Sequence, residues 1–235
     1  MSLPVIFISG PTAIGKSELA LNLAKKNKGE IIQTILTNSK EHLVLATESG
    51  VIKRLTTEEV QKTQNAKQVI KLKTGDRVVS AFCAPEKIDI GITASDGQFL
   101  RMPVSSVSIQ GRGASGVAGM KLKNASVVVA AEAILGDDFV TTIFSNQTAK
   151  VTPVAEFESR GRNGVGVRIT KVNEDSKLTI AKIGPLTNLL AVMATDDDPK
   201  KPDPNPVQLL LESSKRDLVG TTTERQILAL GISRW

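Results

Sequence analysis

The sequence predicts an all-β, propeller-like body of about four blades, preceded by a short strand, loop and helix. Three observations carry this prediction. Apolar residues alternate through Ile88, Ile90 and Ile92, a Ser95-Asp-Gly97 turn follows, and a second short strand leaves with Arg101 upon it, which is a hairpin pattern. The same pattern returns at near-constant spacing, with runs starting at His42, Asp89, Asp138 and Asn188. Glycine-containing links and further short strands separate the hairpins, giving about four strands per repeat, and such a unit is too small to bury its own faces without neighbours.

The segment 1–33 is read as a separate leader. Pro4-Val-Ile-Phe-Ile-Ser9 is a short apolar run, and Gly10-Pro-Thr-Ala-Ile-Gly15-Lys16-Ser17 matches the P-loop pattern in full. Glu18-Leu-Ala-Leu-Asn-Leu-Ala-Lys-Lys26 supplies the helix that should follow. In that setting the amides of Gly10 to Gly15 and the helix start would cradle phosphates, Lys16 would reach the terminal oxygens and Ser17 would ligate magnesium. Residues 4–32 resemble the opening of tRNA dimethylallyltransferases, and the resemblance implies a loop that holds a prenyl diphosphate. It ends at Gln33-Thr34-Ile35-Leu36, where that family carries an Asp-Ser pair with its catalytic aspartate. About thirty residues cannot build the parallel sheet that a working P-loop needs. No cofactor is therefore expected, with ATP or another phosphate ligand at 10–17 the one exception that the motif allows.

The repeat body is read as 34–235. Its first hairpin is His42-Leu-Val-Leu-Ala-Thr-Glu-Ser-Gly50-Val-Ile-Lys-Arg54, and Val60 falls on Val107 of the next repeat. The third is Asp138-Phe-Val-Thr-Thr-Ile-Phe-Ser-Asn146-Gln-Thr-Ala-Lys150, with Pro153-Val154 falling on Pro103-Val104. Strands are expected over Gly116–Leu122 and Gly164–Thr170, and again over Gly75–Ala81, Asn124–Ala130 and Asp175–Ala181. The fourth repeat is interrupted between Thr195 and Val207 by a charged stretch with four prolines, which must be an exposed loop. Val207–Leu211 and Arg225–Leu230 read as the strands that resume after it.

Composition narrows the function. Thirty basic against 24 acidic residues give a net charge of +6, and the excess lies in residues 1–135, since 136–235 balance. That favours a polyanionic partner, because basic residues recur beside the turns and glycine clusters of successive repeats. The sequence holds no tyrosine, which closes tyrosyl nucleophile chemistry to this chain. One histidine, His42, and one cysteine, Cys83, cannot assemble a Cys/His metal site, and both read as ordinary strand residues. No apolar run reaches 18 residues, so no membrane helix is expected. With no basic signal region at the start, the cytoplasm is the expected location.

Residues 34–235 resemble the C-terminal β-pinwheel domain of the DNA gyrase A subunit or of its topoisomerase IV counterpart. Gln110-Gly-Arg-Gly-Ala-Ser-Gly116 is similar to that family's glutamine-arginine-glycine box, with Gly111 and Ser115 replacing basic residues. Glu158-Ser-Arg160-Gly161-Arg162-Asn-Gly164 reads as a second copy 48 residues later. The resemblance implies a disc of blades that wraps double-stranded DNA, works with the catalytic core and ATPase subunit of a type IIA topoisomerase, and catalyses nothing alone. Phosphate contacts are expected from Lys53, Arg54, Arg101, Gln110, Arg112, Lys121, Lys123, Lys150, Arg160, Arg162 and Arg168. Two other readings stay open: a P-loop transferase built on the leader, and a propeller that binds protein.

Overall fold

A computed structural model describes residues 6–7, 41–61, 67–170 and 176–232. After β1 (Ile6–Phe7), the first repeat comprises β2 (His42–Thr47), β3 (Val51–Thr56), the helical turn α1 (Thr57–Gln61), β4 (Lys67–Gln68) and β5 (Val78–Ala84). The second runs through β6 (Asp89–Ala94), β7 (Gln98–Pro103), β8 (Val117–Ala118) and β9 (Val128–Ile134). The third repeats the order as β10 (Phe139–Phe144), β11 (Thr148–Pro153), β12 (Val167–Arg168) and β13 (Leu178–Gly184). The fourth is β14 (Leu189–Met193), β15 (Val207–Gln208), β16 (Thr221–Thr222) and β17 (Ile227–Ile232).

These repeats build four blades of propeller-like arrangement, but a repeat is not a blade. The sheets are ordered β5-β2-β3-β8, β9-β6-β7-β12, β13-β10-β11-β16 and β17-β14-β15. In each of the first three, the outermost strand comes from the following repeat: Val51 pairs Ala118, Phe99 pairs Val167 and Ala149 pairs Thr221. The chain thus leaves a hairpin, reaches back to close the previous blade's outer edge, and returns to lay the inner strand of its own blade. This exchange covers the edges of β3, β7 and β11, which would otherwise expose unpaired amides and carbonyls. The expected strand Gly116–Leu122 consequently contracts to β8, two residues long, because β3 begins at Val51 and its edge beyond Ile52 is taken by the bridge from Arg54 to Ile109. Similarly, Gly164–Thr170 contracts to β12.

The middle strands explain their own composition. In β2, β6 and β10 every residue after the first is buried, because both faces of the sheet are covered: by blades on either side of β6 and β10, and for β2 by the second blade on one face and by Val60, Val69 and Ile70 of its own repeat on the other. The inner strand β5 instead alternates, burying Val78, Ser80, Phe82 and Ala84. A bulge interrupts the pairing of the middle strand with the inner strand at the same place in every blade, between Ala46 and Thr47, Thr93 and Ala94, Ile143 and Phe144, and Val192 and Met193. A bulge increases local twist and bends the strand, which lets four sheets stack round an axis rather than lie flat.

The core lies between blades. Val44, Ile52 and Phe82 meet Ile90, Leu100 and Met102 between the first two. Phe99 and Phe157, with ring centroids 4.7 Å apart, lie with Val140 and Ile183 between the next two. Each such side chain contributes about 1.5–3 kcal/mol when fully buried. Val60 and Val107 are both buried, as are Val104 and Val154, in keeping with the repeat registers read from the sequence.

The P-loop residues Gly10, Gly15, Lys16 and Ser17 lie outside the described residues. Ile6 and Phe7 are described, and they pair antiparallel with Gln68 and Lys67 of β4. Since β4 is the first repeat's counterpart of the exchanged strands β8, β12 and β16, β1 occupies the place that a preceding blade would fill.

Candidate nucleic-acid interface

Three loops on the outer rim form one series. After each hairpin the chain doubles back beside the outer strand in a parallel bridge, joining Arg54 to Ile109, Arg101 to Ser159 and Val151 to Ser213. The next amide then donates to the strand: Gln110 to Arg54, Arg160 to Arg101 and Ser214 to Val151, at 2.8, 2.8 and 3.0 Å. These anchors align Gln110–Gly116 with Arg160–Gly166 and Ser214–Gly220. Arg112, Arg162 and Arg216 therefore take the same place in three loops. The residue after them is Gly113, Asn163 or Asp217, and the last two have φ of 64° and 65°. A left-handed backbone there suits glycine, asparagine and aspartate.

This alignment corrects the spacing of 48 residues read from the sequence. The second box is displaced by 50, so Arg162, not Arg160, matches Arg112, and Gly166, not Gly164, matches Gly116. Gly116 and Gly166 both carry positive φ, of 90° and 87°, and a Cβ on either would fall within 2.8 Å of the carbonyl oxygen of Ile52 or Phe99. Those are the glycines that the exchanged strands need. A Cβ at Gly113 or Gly161 would meet nothing within 4 Å.

Three of the expected phosphate contacts are buried. Lys53 is 0% exposed, Lys150 2% and Arg54 5%. The Lys53 ammonium donates to the carbonyl oxygens of Val69, Arg112 and Ala114 at 2.8, 2.8 and 2.7 Å. Lys150 does the same in the third blade, donating to Ser214 Oγ at 3.0 Å and to the carbonyls of Lys215 and Leu218 at 2.8 Å each. Each ammonium has three donors, and all three are used inside the protein. Burial draws the Lys53 pKa down from 10.5 to about 8, and draws Lys150 down as well, against the opposite pull of Asp217 and Glu156. Arg54 turns its Nη1 toward Glu86, 3.7 Å away. These three residues are structural, and they leave the candidate surface.

The others stand at or near the surface. Lys121, Lys123, Arg160, Arg162 and Arg168 are exposed, whereas Arg101, Gln110 and Arg112 are half-buried. Arg101 is tied down by Asp89, 2.7 Å from its Nε, and also donates to the Phe157 carbonyl at 3.4 Å. Arg162 donates to the Ala118 carbonyl at 3.3 Å, so it leans over the outer edge of the first blade. Arg168 pairs with Asp217.

Four exposed cations of the same series escaped the sequence reading. Lys71-Leu-Lys73 recurs as Lys121-Leu-Lys123, fifty residues on, and the amides of Lys71 and Lys121 donate to the matching loop carbonyls of Ala114 and Gly164. The identical tripeptide was the signal available. Lys215 and Arg216 were hidden because the long 195–206 insertion moves the third box 54 residues beyond the second. Among the described residues no group of three or more His, Cys, Asp or Glu could hold a metal ion, and no helix is long and apolar enough to cross a membrane.

Comparison with known proteins agrees with this architecture. The family model described as "DNA gyrase C-terminal domain, beta-propeller" matches residues 41–85, 92–134 and 148–183, which is more than half of the chain. The DNA gyrase A protein of Kosmotoga olearia is 29% identical over 192 residues, covering 72% of this chain and 24% of that protein. Its Escherichia coli K12 counterpart is 29% identical over 168 residues, covering 69% and 19%. This chain thus spans at most about a quarter of those two relatives. Among solved structures, the C-terminal domain of DNA topoisomerase IV superposes with a TM-score of 0.75 at 21% identity, covering 86% of this chain and 65% of that one. The DNA gyrase A C-terminal domain gives 0.68 at 18%, covering 83% and 68%, and at these identities both likenesses concern the fold. The family match begins at residue 41, and the resemblance of residues 4–32 to tRNA dimethylallyltransferases is not supported.

Proposed function

We propose that this chain, which belongs to the DNA gyrase C-terminal domain family of β-propellers, is a DNA-wrapping domain of a type IIA topoisomerase. Its partners in this reading are double-stranded DNA and the catalytic core and ATPase subunit of that enzyme, in the cytoplasm. The domain contributes no bond chemistry of its own. One observation carries the reading: Arg112, Arg162 and Arg216 sit at one position of three successive rim loops, flanked by Lys71, Lys73, Lys121, Lys123, Arg168 and Lys215.

Such a rim suits a polyanion read by its backbone. Each phosphate neutralised by a lysine or arginine releases counterions, which supplies affinity without regard to sequence. Bending a duplex through a near-right angle costs about 1–6 kcal/mol by smooth elastic estimates, so contacts must be spread along the path to offset it. A series of cations carried by successive blades is spread in that way.

The test is titration of the full chain with duplexes of increasing length at two salt concentrations. Affinity should rise with length until the duplex spans the series and then level off, and it should fall steeply with salt. Affinity independent of both length and salt would overturn the reading.

A further inference from the structure

We infer that Lys53 and Lys150 are positioning residues for the rim: each buried ammonium fixes the backbone arc that carries one surface arginine, Arg112 in the first case and Arg216 in the second. The inference deepens the DNA-wrapping reading and rests on it. Lys53 and Lys150 occupy the same place in β3 and β11, each preceding by one residue the anchor that bridges to its loop. Their hydrogen bonds converge on corresponding arcs. Lys53 takes the carbonyls of Arg112 and Ala114, and Lys150 takes those of Lys215 and Leu218, which lie on either side of Arg216 and Asp217. Holding the carbonyls on both sides of a turn leaves its peptide planes little freedom, so the Cα of the arginine is fixed in place and direction.

The second blade shows that folding alone does not require this device. Leu100 stands in β7 where Lys53 and Lys150 stand, and its loop is closed over Gly164 instead, where a Cβ would come within 3.2 Å of Leu100 Cδ1. That loop reaches its place through apolar contact with a glycine. The two loops with a side chain at the matching position, Ala114 and Leu218, are the two that have the lysine. Burying an ammonium costs free energy even when it is hydrogen-bonded, so its presence in the first and third blades, where the loop has a side chain at the place of Gly164, and its absence from the second point to a task other than closing the sheet. The task that fits is to hold a cation-bearing loop rigid, so that a phosphate contact does not have to order the loop on binding.

A double-mutant cycle on the full chain tests this by DNA titration at two salt concentrations. Lys53→Leu copies the residue that the second blade already carries. It should weaken binding to duplex DNA severalfold and flatten the salt slope by about one unit, the loss expected for one phosphate contact. In an Arg112→Ala background the same substitution should cost nothing further, whereas with Arg216→Ala the losses should add. Lys150→Leu should show the mirrored pattern, coupled to Arg216 and independent of Arg112. Equal losses in every background would mean general loosening of the body and would overturn the inference, as would a Lys53→Leu variant with unaltered affinity. If Arg112→Ala and Arg216→Ala themselves leave affinity intact, the underlying DNA reading fails first, and that outcome is distinct from the other two. Should Lys53→Leu not fold, Lys53→Gln retains two of the three donors and should show the same coupling to Arg112 with a smaller loss.

Discussion

Arg168 and Asp217 meet across two blades: Nε of the arginine, on the outer strand β12, lies 2.6 Å from Oδ1 of an aspartate in the third rim loop. Oδ2 of the same carboxylate lies 3.1 Å from Arg216. One acidic group thus occupies two of the cations that a phosphate path would use. The second loop has Asn163 at the matching position, with nearly the same backbone angle. Asp217→Asn should therefore keep the turn and release both arginines. Duplex affinity should rise and its salt slope should steepen by up to about one unit, chiefly through Arg168, since Arg216 meets the carboxylate through one nitrogen and keeps its place in the series, as measured by titration at two salt concentrations. Weaker binding in the variant would mean that Asp217 serves to hold Arg168 in a productive place.

The first three hairpin turns each close on a residue in the left-handed region, and only the third closes on a residue other than glycine. Gly50, Gly97 and Gln147 close them with φ of 86°, 77° and 64°. A glutamine in the left-handed region is strained by about 1–2 kcal/mol relative to the ordinary conformations, and glycine relieves that strain while adding freedom to the unfolded chain. Gln147→Gly should stabilise the protein by about 0.5–1 kcal/mol, read as a rise in the urea midpoint with an unchanged slope. A lower midpoint would show that the Gln147 side chain holds the turn.

Much of the fold was legible because the repeat is strict where both faces of a sheet are buried. His42, Asp89 and Phe139 each open a middle strand that the alternation or apolar run had marked. The strand exchange was not legible, because β8, β12 and β16 are two residues long and pair with a partner about seventy residues earlier. The site divided in the same way. Charge and position relative to a turn pointed equally to Lys53 and Lys121, and only the third dimension separates a lysine saturated by Val69, Arg112 and Ala114 from one in solvent. Alternation within β3 could not reveal the difference, since Lys53 sits between two buried neighbours, Ile52 and Arg54, in a strand covered on both faces. Aligning the second box on Arg160 failed because two arginines flank Gly161, and only the bridge from Arg101 to Ser159 selects Arg162.

Lys53 should leave a signature in stability against pH. Its folded-state pKa, about 8, lies below the ordinary 10.5, so between those values the unfolded chain holds a proton that the folded chain has released. Stability rises with pH wherever the unfolded state binds more protons. The unfavourable contribution of the buried ammonium is thus complete below pH 8 and fades by pH 10.5, a change of up to about 3 kcal/mol. Urea midpoints of the wild type should gain on those of Lys53→Leu across this window. A wild type that loses ground there would show that the three carbonyls stabilise the ammonium by more than its burial costs.

Blades two and three are joined near the axis by Glu132 of β9 and Lys182 of β13. The carboxylate accepts from the Lys182 ammonium and, at 2.5 Å, from the Ile183 amide. Burial pushes the Glu132 carboxyl above its ordinary range, although the lysine and the amide pull the other way. Removing one partner strands the other in a site with little water. Both side chains keep some exposure, 23% for Lys182 and 16% for Glu132, so Lys182→Met should cost about 1–3 kcal/mol, and Glu132→Gln less, since its amide oxygen still accepts from Ile183. The double variant Glu132→Leu with Lys182→Met should recover most of the loss, because apolar groups of similar volume can replace a buried pair. Additive losses would mean that the two side chains act independently.

The rim itself makes the last prediction. Neutralising Arg112, Arg162 and Arg216 together removes the one cation that occupies the same place in three successive loops. Binding to duplexes of any sequence should weaken, and the salt slope should flatten by about three units, one for each lost phosphate contact. The melting temperature should barely move, since charges at the surface contribute little to stability. A matched triple variant at Lys177, Lys200 and Lys201, exposed lysines away from the three loops, sets the baseline for the loss of charge alone. If the partner follows the arginine series, the first variant should lose far more affinity and salt dependence than the second, and its dependence on duplex length should flatten as well. Equal losses in the two triple variants would mean that net charge, and no defined path along the blades, attracts the polyanion.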